Sequence, residues 1–133
     1  MPYSADWYLV HQVVDARLSG QVTFEDMEGY TDRCVELLVE AAAHAPQNRL
    51  QIIVDATDAV SIPPIYRMFS QGIRTLKFKN RDTMFLITRN SQVRSVIEIA
   101  SHLAGDHFKL KVFSERQQAL EALAAHMEKT AHR

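Results

Sequence analysis

The chain has 133 residues, 47% of them hydrophobic and 23% charged, with four glycines and four prolines, which is globular rather than disordered composition. A net charge of −1, a lone Cys34 and no leader-like opening exclude a strongly basic chain and an intrachain disulfide, and suggest a cytoplasmic protein. No apolar run approaches the ~20 residues of a membrane-spanning helix, and a chain this long buries about two-thirds of its unfolded surface. A single domain over residues 1–133 is expected, with the residues after about 128 frayed.

Charge is unevenly spread. Residues 1–58 carry three Lys/Arg against ten Asp/Glu, residues 59–97 seven against one, and residues 98–133 five of each. Acidic and basic helix faces explain this, or a basic patch for an acidic partner. The cations are not interleaved with aromatics, so nucleic acid is not an expected partner.

In chain order, YSADWYL places Tyr3, Ala5, Trp7 and Leu9 on one face. QVVDARLSG places Val14, Ala16 and Leu18 on one face, with Asp15, Arg17 and Ser19 outward. Period two predicts half-buried strands. The link near Val10 and His11 lacks the Gly or Asn that hairpins prefer, which leaves a hairpin or one long bent strand. Gly20 ends the strand. Thr23 with Asp26 predicts a capping pair, and Met27, Tyr30, Cys34, Leu37, Leu38 and Ala41 recur at helical spacing.

LQIIV predicts a central strand covered on both faces. A loop from Asp55 to Pro64 follows. Pro64 suits the first turn of a second helix, with Ile65, Met68, Phe69, Gly72, Ile73 and Leu76 on one side and Arg67, Gln71 and Arg74 on the other. TMFLIT predicts another strand. Asn90 or Ser91 caps a helix bearing Val93, Val96, Ile97, Ala100 and Leu103, and FKLKV predicts the last strand. Ser114 with Gln117 suggests a capping box, and Ala119, Leu120, Leu123 and Ala124 face the core of the last helix. The predicted order is β-β-α-β-α-β-α-β-α. It makes an α/β fold with a mixed, mostly parallel five-stranded sheet, four helices and an antiparallel first edge strand.

The stretches ARLSGQVTFEDM, IIVDATDA, MFLITRNSQVRSV and FKLKVFSERQQALEAL, in that order of elements, resemble the STAS domain. More narrowly they resemble the bacterial single-domain SpoIIAA-like group. That resemblance implies a STAS/SpoIIAA-like fold and a regulatory, protein-binding role, with the loop after the central strand as the docking element. In anti-sigma antagonists of the family this loop carries a phosphorylated serine in a pattern like D-x-S-G-x-x-x-x-D-S-S-G. Laid on VDATDAVSIPPIY, Asp55 and Thr57 match its first Asp and Ser. The phosphorylated serine falls on Pro64, its preceding Asp on Pro63 and its Gly on Tyr66. Proline has no hydroxyl, so that switch is not carried over.

Candidate partner-binding residues are Asp55, Thr57, Asp58, Ser61, Arg67, Gln71 and Arg74. Arg89, Ser91 and Arg94 gather at a helix start, where anions are attracted. Met68, Phe69, Ile73 and Leu76 could line a cleft for a lipid or other hydrophobic ligand, as related folds suggest. Six histidines invite a metal, but no His-x-x-x-His occurs and Cys34 has no Cys partner, so none is expected. No G-x-S-x-G or phosphate-cradling glycine run appears. The expectation is a non-enzymatic module without cofactor. It binds a protein partner or a second copy of itself through a sheet edge.

Overall fold

The computed structural model describes residues 2–63, 80–103 and 109–131. The two alternating segments form β1 (Tyr3–Leu9) and β2 (Val13–Gln21), paired antiparallel from Tyr3 opposite Leu18 to Leu9 opposite Val13. Gln12 N–H donates to the Leu9 carbonyl at 3.0 Å, and His11 has φ 60°. Gly or Asn usually takes such a left-handed turn position. Here the His11 carbonyl accepts from Asn48 Nδ2 at 2.9 Å. Its ring meets Trp7 edge-on and stacks on His44 with centroids 5.2 Å apart. These contacts hold the turn, so the segment is a hairpin and not a bent strand.

Helix α1 (Phe24–His44) opens with the expected capping box: Asp26 N–H donates to Thr23 Oγ1 and Thr23 N–H to Asp26 Oδ2. Met27, Cys34, Leu37, Leu38 and Ala41 are buried on its inner face. Burial pushes the Cys34 thiol up to about 12, so it is a packing group, not a nucleophile. Strand β3 (Leu50–Ser61) follows, then β4 (Arg81–Ile87), α2 (Ser91–Leu103), β5 (Lys109–Phe113) and α3 (Arg116–Ala131).

The sheet order is β1-β2-β3-β4-β5, so LQIIV is indeed central. The sheet, expected to be mixed and mostly parallel with an antiparallel first edge, is mixed, with one antiparallel and three parallel pairings. A tight turn can only return β1 and β2 antiparallel, whereas β2–β3, β3–β4 and β4–β5 run parallel. Four helices were expected and three lie among the described residues; the helix expected over 65–76 falls outside them. The expected loop from Asp55 is strand as far as Ser61, because β2 continues to pair with it through Gln21. The Ser114–Gln117 box also does not form. Helix α3 starts at Arg116 and the Ser114 hydroxyl turns to Gln118.

The two sheet faces are covered unequally. Ala5, Val14, Ala16, Leu18, Ile52, Val54 and Leu86 face α1 and α2. Val13, Ile53, Phe85 and Ile87 face α3 through Ala119 and Leu123. No helix among the described residues is long and apolar enough to cross a membrane.

The free edge of β1 is guarded. Ser19 N–H donates to the Pro2 carbonyl at 2.8 Å. That fixes alternate residues as inward-bonded and turns the backbone groups of Tyr3, Ala5 and Trp7 outward. Arg33 Nε donates to the Ala5 carbonyl at 2.9 Å, and its Nη2 holds Asp6 at 2.8 Å. Arg33→Ala should therefore expose a pairing edge. We expect a stability loss of about 1 kcal/mol and a higher mass distribution by size exclusion with light scattering. An unchanged mass would show that Arg33 does not protect the edge.

Candidate functional site

The site is built where α3 begins. Asp15 and Arg17 alternate outward on β2, and Asp55 lies beside Arg17 on β3. Arg116, the first residue of α3, reaches down between them. Its Nη1 and Nη2 donate to the two oxygens of Asp15 at 3.3 and 2.8 Å, and Nη1 donates to Asp55 Oδ2 at 3.0 Å. The other Asp55 oxygen accepts from the Thr57 amide at 3.1 Å and from its hydroxyl at 2.5 Å. Asp55 is mostly enclosed, with 11% of its side chain exposed. Burial pushes its carboxyl up, but the Thr57 and Arg116 hydrogen bonds outweigh that and hold it below the usual carboxylate range.

The strand itself is irregular here. Arg17 to Ser19 on β2 is matched by Asp55 to Asp58 on β3, and Gly20 to Gln21 by Ala59 to Ser61. Each shift inserts one residue into β3. Such bulges are uncommon between parallel strands and re-aim side chains. Ala56 and Ala59 stay buried while Thr57, Asp58 and Val60 are exposed. Gly20, with φ 67°, supplies the left-handed backbone that β2 needs opposite the second bulge.

Together these residues line a groove of about 570 Å³ that includes Arg17, Asp55, Thr57, Asp58, Arg89 and Arg116. Arg89 crosses its mouth, donating from Nε to the Ser114 carbonyl at 3.2 Å and from Nη2 to Glu115 at 3.0 Å. The groove's enclosed carboxylate, Asp55, stays ionised at neutral pH. A carboxylate held ionised in this way accepts hydrogen bonds and has no proton to give near pH 7.

The structure thus gathers four sequence-chosen residues, Asp55, Thr57, Asp58 and Arg89, in one groove. Ser61 ends β3 half-buried, its carbonyl accepting from Val22 N–H. Ser91 and Arg94 do not line the groove. The first α2 amides are taken by Asn90 Oδ1, which accepts from Gln92 and Val93 at 2.9 and 3.3 Å, and Arg94 pairs with Glu98 at 2.7 Å. Arg67, Met68, Phe69, Gln71, Ile73, Arg74 and Leu76 lie outside the described residues, as does Pro64. Asp15, Arg17, Glu115 and Arg116 were not anticipated. The only signal for them was the outward alternation of Asp15 and Arg17.

No protein-family model matches the sequence, and no curated protein does. Among solved structures, the chain is similar to an uncharacterised protein of the DUF3478 family with a SpoIIAA-like fold from Shewanella loihica PV-4. The TM-score is 0.59 over 91% of each chain, at 16% identity. The fold is SpoIIAA-like. At this identity the likeness is one of architecture, so the SpoIIAA-like chain's site rests on its own residues.

A second polar cluster closes the opposite end of the α3 face. Gln51 Nε2 donates to Asp82 Oδ2 at 2.8 Å, and His126 Nε2 lies 3.0 Å from the same oxygen. Burial pushes the Asp82 carboxyl up, and these partners more than offset it and hold it low. Among the described residues no group of three His, Cys, Asp or Glu is placed to hold a metal.

Arg116→Met should leave Asp15 and Asp55 facing each other without the guanidinium that bridges them, at a loss on the order of 2 kcal/mol at pH 7. Because the folded pKa of Asp55 is depressed, its contribution is full above the unfolded value of about 3.9 and fades as pH falls through the folded one. The difference in Tm between Arg116→Met and the unaltered chain should therefore shrink toward pH 3. A pH-independent difference would refute the electrostatic role.

Proposed function

We propose that this SpoIIAA-like domain is a non-enzymatic regulatory module of the cytoplasm that docks a protein partner at the carboxyl end of its central strand. The observation that carries this reading is the bulged tail of β3. It presents Thr57 and Asp58 to solvent beside a floor whose charges already neutralise one another. Rim side chains that are exposed yet backed by a hydrogen-bonded strand can recognise a partner without reorganising. A reaction centre would instead want a titratable group poised near neutrality. The family's phosphorylated serine is replaced by Pro64, so docking here is constitutive and not gated by phosphate at that position.

The partner should be captured by the tagged full chain from the native cell and identified by mass spectrometry. Asp58→Arg with Thr57→Glu should weaken its capture about tenfold or more with an unaltered circular dichroism spectrum. Arg67→Glu with Arg74→Glu should act in the same direction if the basic segment after Pro64 extends the surface. Equal capture by the Asp58→Arg, Thr57→Glu variant would reject this surface.

A further inference from the structure

We infer that the groove between β2, β3 and the start of α3 binds a neutral, hydroxyl-rich small molecule of the sugar or cyclic-polyol class. Its volume, about 570 Å³, lies within the range of small-ligand sites. Its chemistry narrows the class by elimination. Three arginines and three carboxylates line it, and a fourth carboxylate, Asp15, lies behind Arg116. An anion would find only Arg17 loosely committed, since Arg116 is held by two aspartates and Arg89 by Glu115. Asp58 beside them would repel it. A cation would meet three guanidinium groups.

What the groove offers instead is unspent hydrogen bonding. Asp58 and the hydroxyls of Ser4 and Ser19 have no side-chain hydrogen bond or ion pair among the described residues. Arg17 makes only a 3.6 Å contact with Asp15 and is 58% exposed. These groups are ordered by the sheet. Ser4 pairs with Arg17 and Arg17 with Asp55 across the strands, and Ser19 pairs with Asp58. Neighbours in a row are thus spaced at about 4.8 Å. A carboxylate accepts from two hydroxyls, a guanidinium donates to their lone pairs, and serine does either. A ligand whose every polar group both donates and accepts satisfies such a mixed row, whereas a purely ionic one does not.

The test uses the purified full chain with no protein partner, so its failure leaves the docking reading standing. Saturation-transfer NMR would be recorded with D-glucose and myo-inositol as probes, and with glucose 6-phosphate and glucosamine as charged controls. Saturable transfer to at least one neutral probe is expected, with weaker transfer to both controls. Asp58→Asn and Ser19→Ala should each weaken binding about fivefold or more without lowering Tm, since neither side chain holds the fold. No saturable transfer to either neutral probe would overturn the inference. So would binding indifferent to both substitutions, or a preference for a charged control.

Discussion

Sequential strand order is the constraint from which the site follows. β2, β3, β4 and β5 lie side by side and run parallel, so α1, between β2 and β3, and α2, between β4 and β5, cross over a face. Right-handed crossovers between neighbours all fall on the same side. Helices α1 and α2 accordingly share one face. Among the described residues the opposite face is left to α3, which follows the last strand and crosses nothing. One helix cannot cover five strands. Val13, Ile53, Phe85 and Ile87 are sealed by it, whereas Ser4, Asp6, Tyr8 and Arg17 on the β1–β2 side remain exposed. The groove is the boundary between the covered and uncovered parts of that face.

Helix α3 is held there by polar contacts at both ends. Its apolar contribution is small, Ala119 and Leu123 being its fully buried residues, so burial alone orients it loosely. Arg116 grips Asp15 and Asp55 near the carboxyl end of the strands, and His126 meets Asp82 near the amino end. The ten-residue step from Arg116 to His126 spans about 15 Å of helix, and β4 from Asp82 to Ile87 spans about 16 Å. Two clamps at matched spacing set the helix antiparallel to the strands. The floor of the groove is thus also an anchor of the fold, which is why its charges are committed to one another.

Much of this was legible from periodicity. Alternation separated Val14, Ala16 and Leu18 from Asp15, Arg17 and Ser19, and the capping box of α1 was plain from Thr23 and Asp26. Two things were not. Alternation says which face a side chain takes, but not whether a helix covers that face, so Asp15 read as solvated when it is 18% exposed. The length of β3 was also hidden. After Val54 the residues DATDAVS have poor strand propensity, and only pairing with β2 keeps them extended. Arg116 was illegible for a related reason. Its partners are 61 and 101 residues away in sequence, and no local pattern records such a contact.

The tail of β3 shows how an irregular strand becomes a presenting surface. As far as Asp55 it is flanked on both sides, but β4 stops pairing at Ile87. Beyond that point, among the described residues, β2 alone continues to pair with it. The vacated side is not left as an open edge. Asn90 Nδ2 donates to the Val60 carbonyl at 2.8 Å, and Gln92 Nε2 donates to the Ile62 carbonyl at 3.3 Å. Both side chains come from the start of α2, whose amides Asn90 also caps. One residue therefore terminates a helix end and a strand edge together, holding the tail's backbone while the bulges turn its polar side chains outward. A recognition surface gains selectivity from that rigidity, because the ordering entropy is lost in folding and not again at binding.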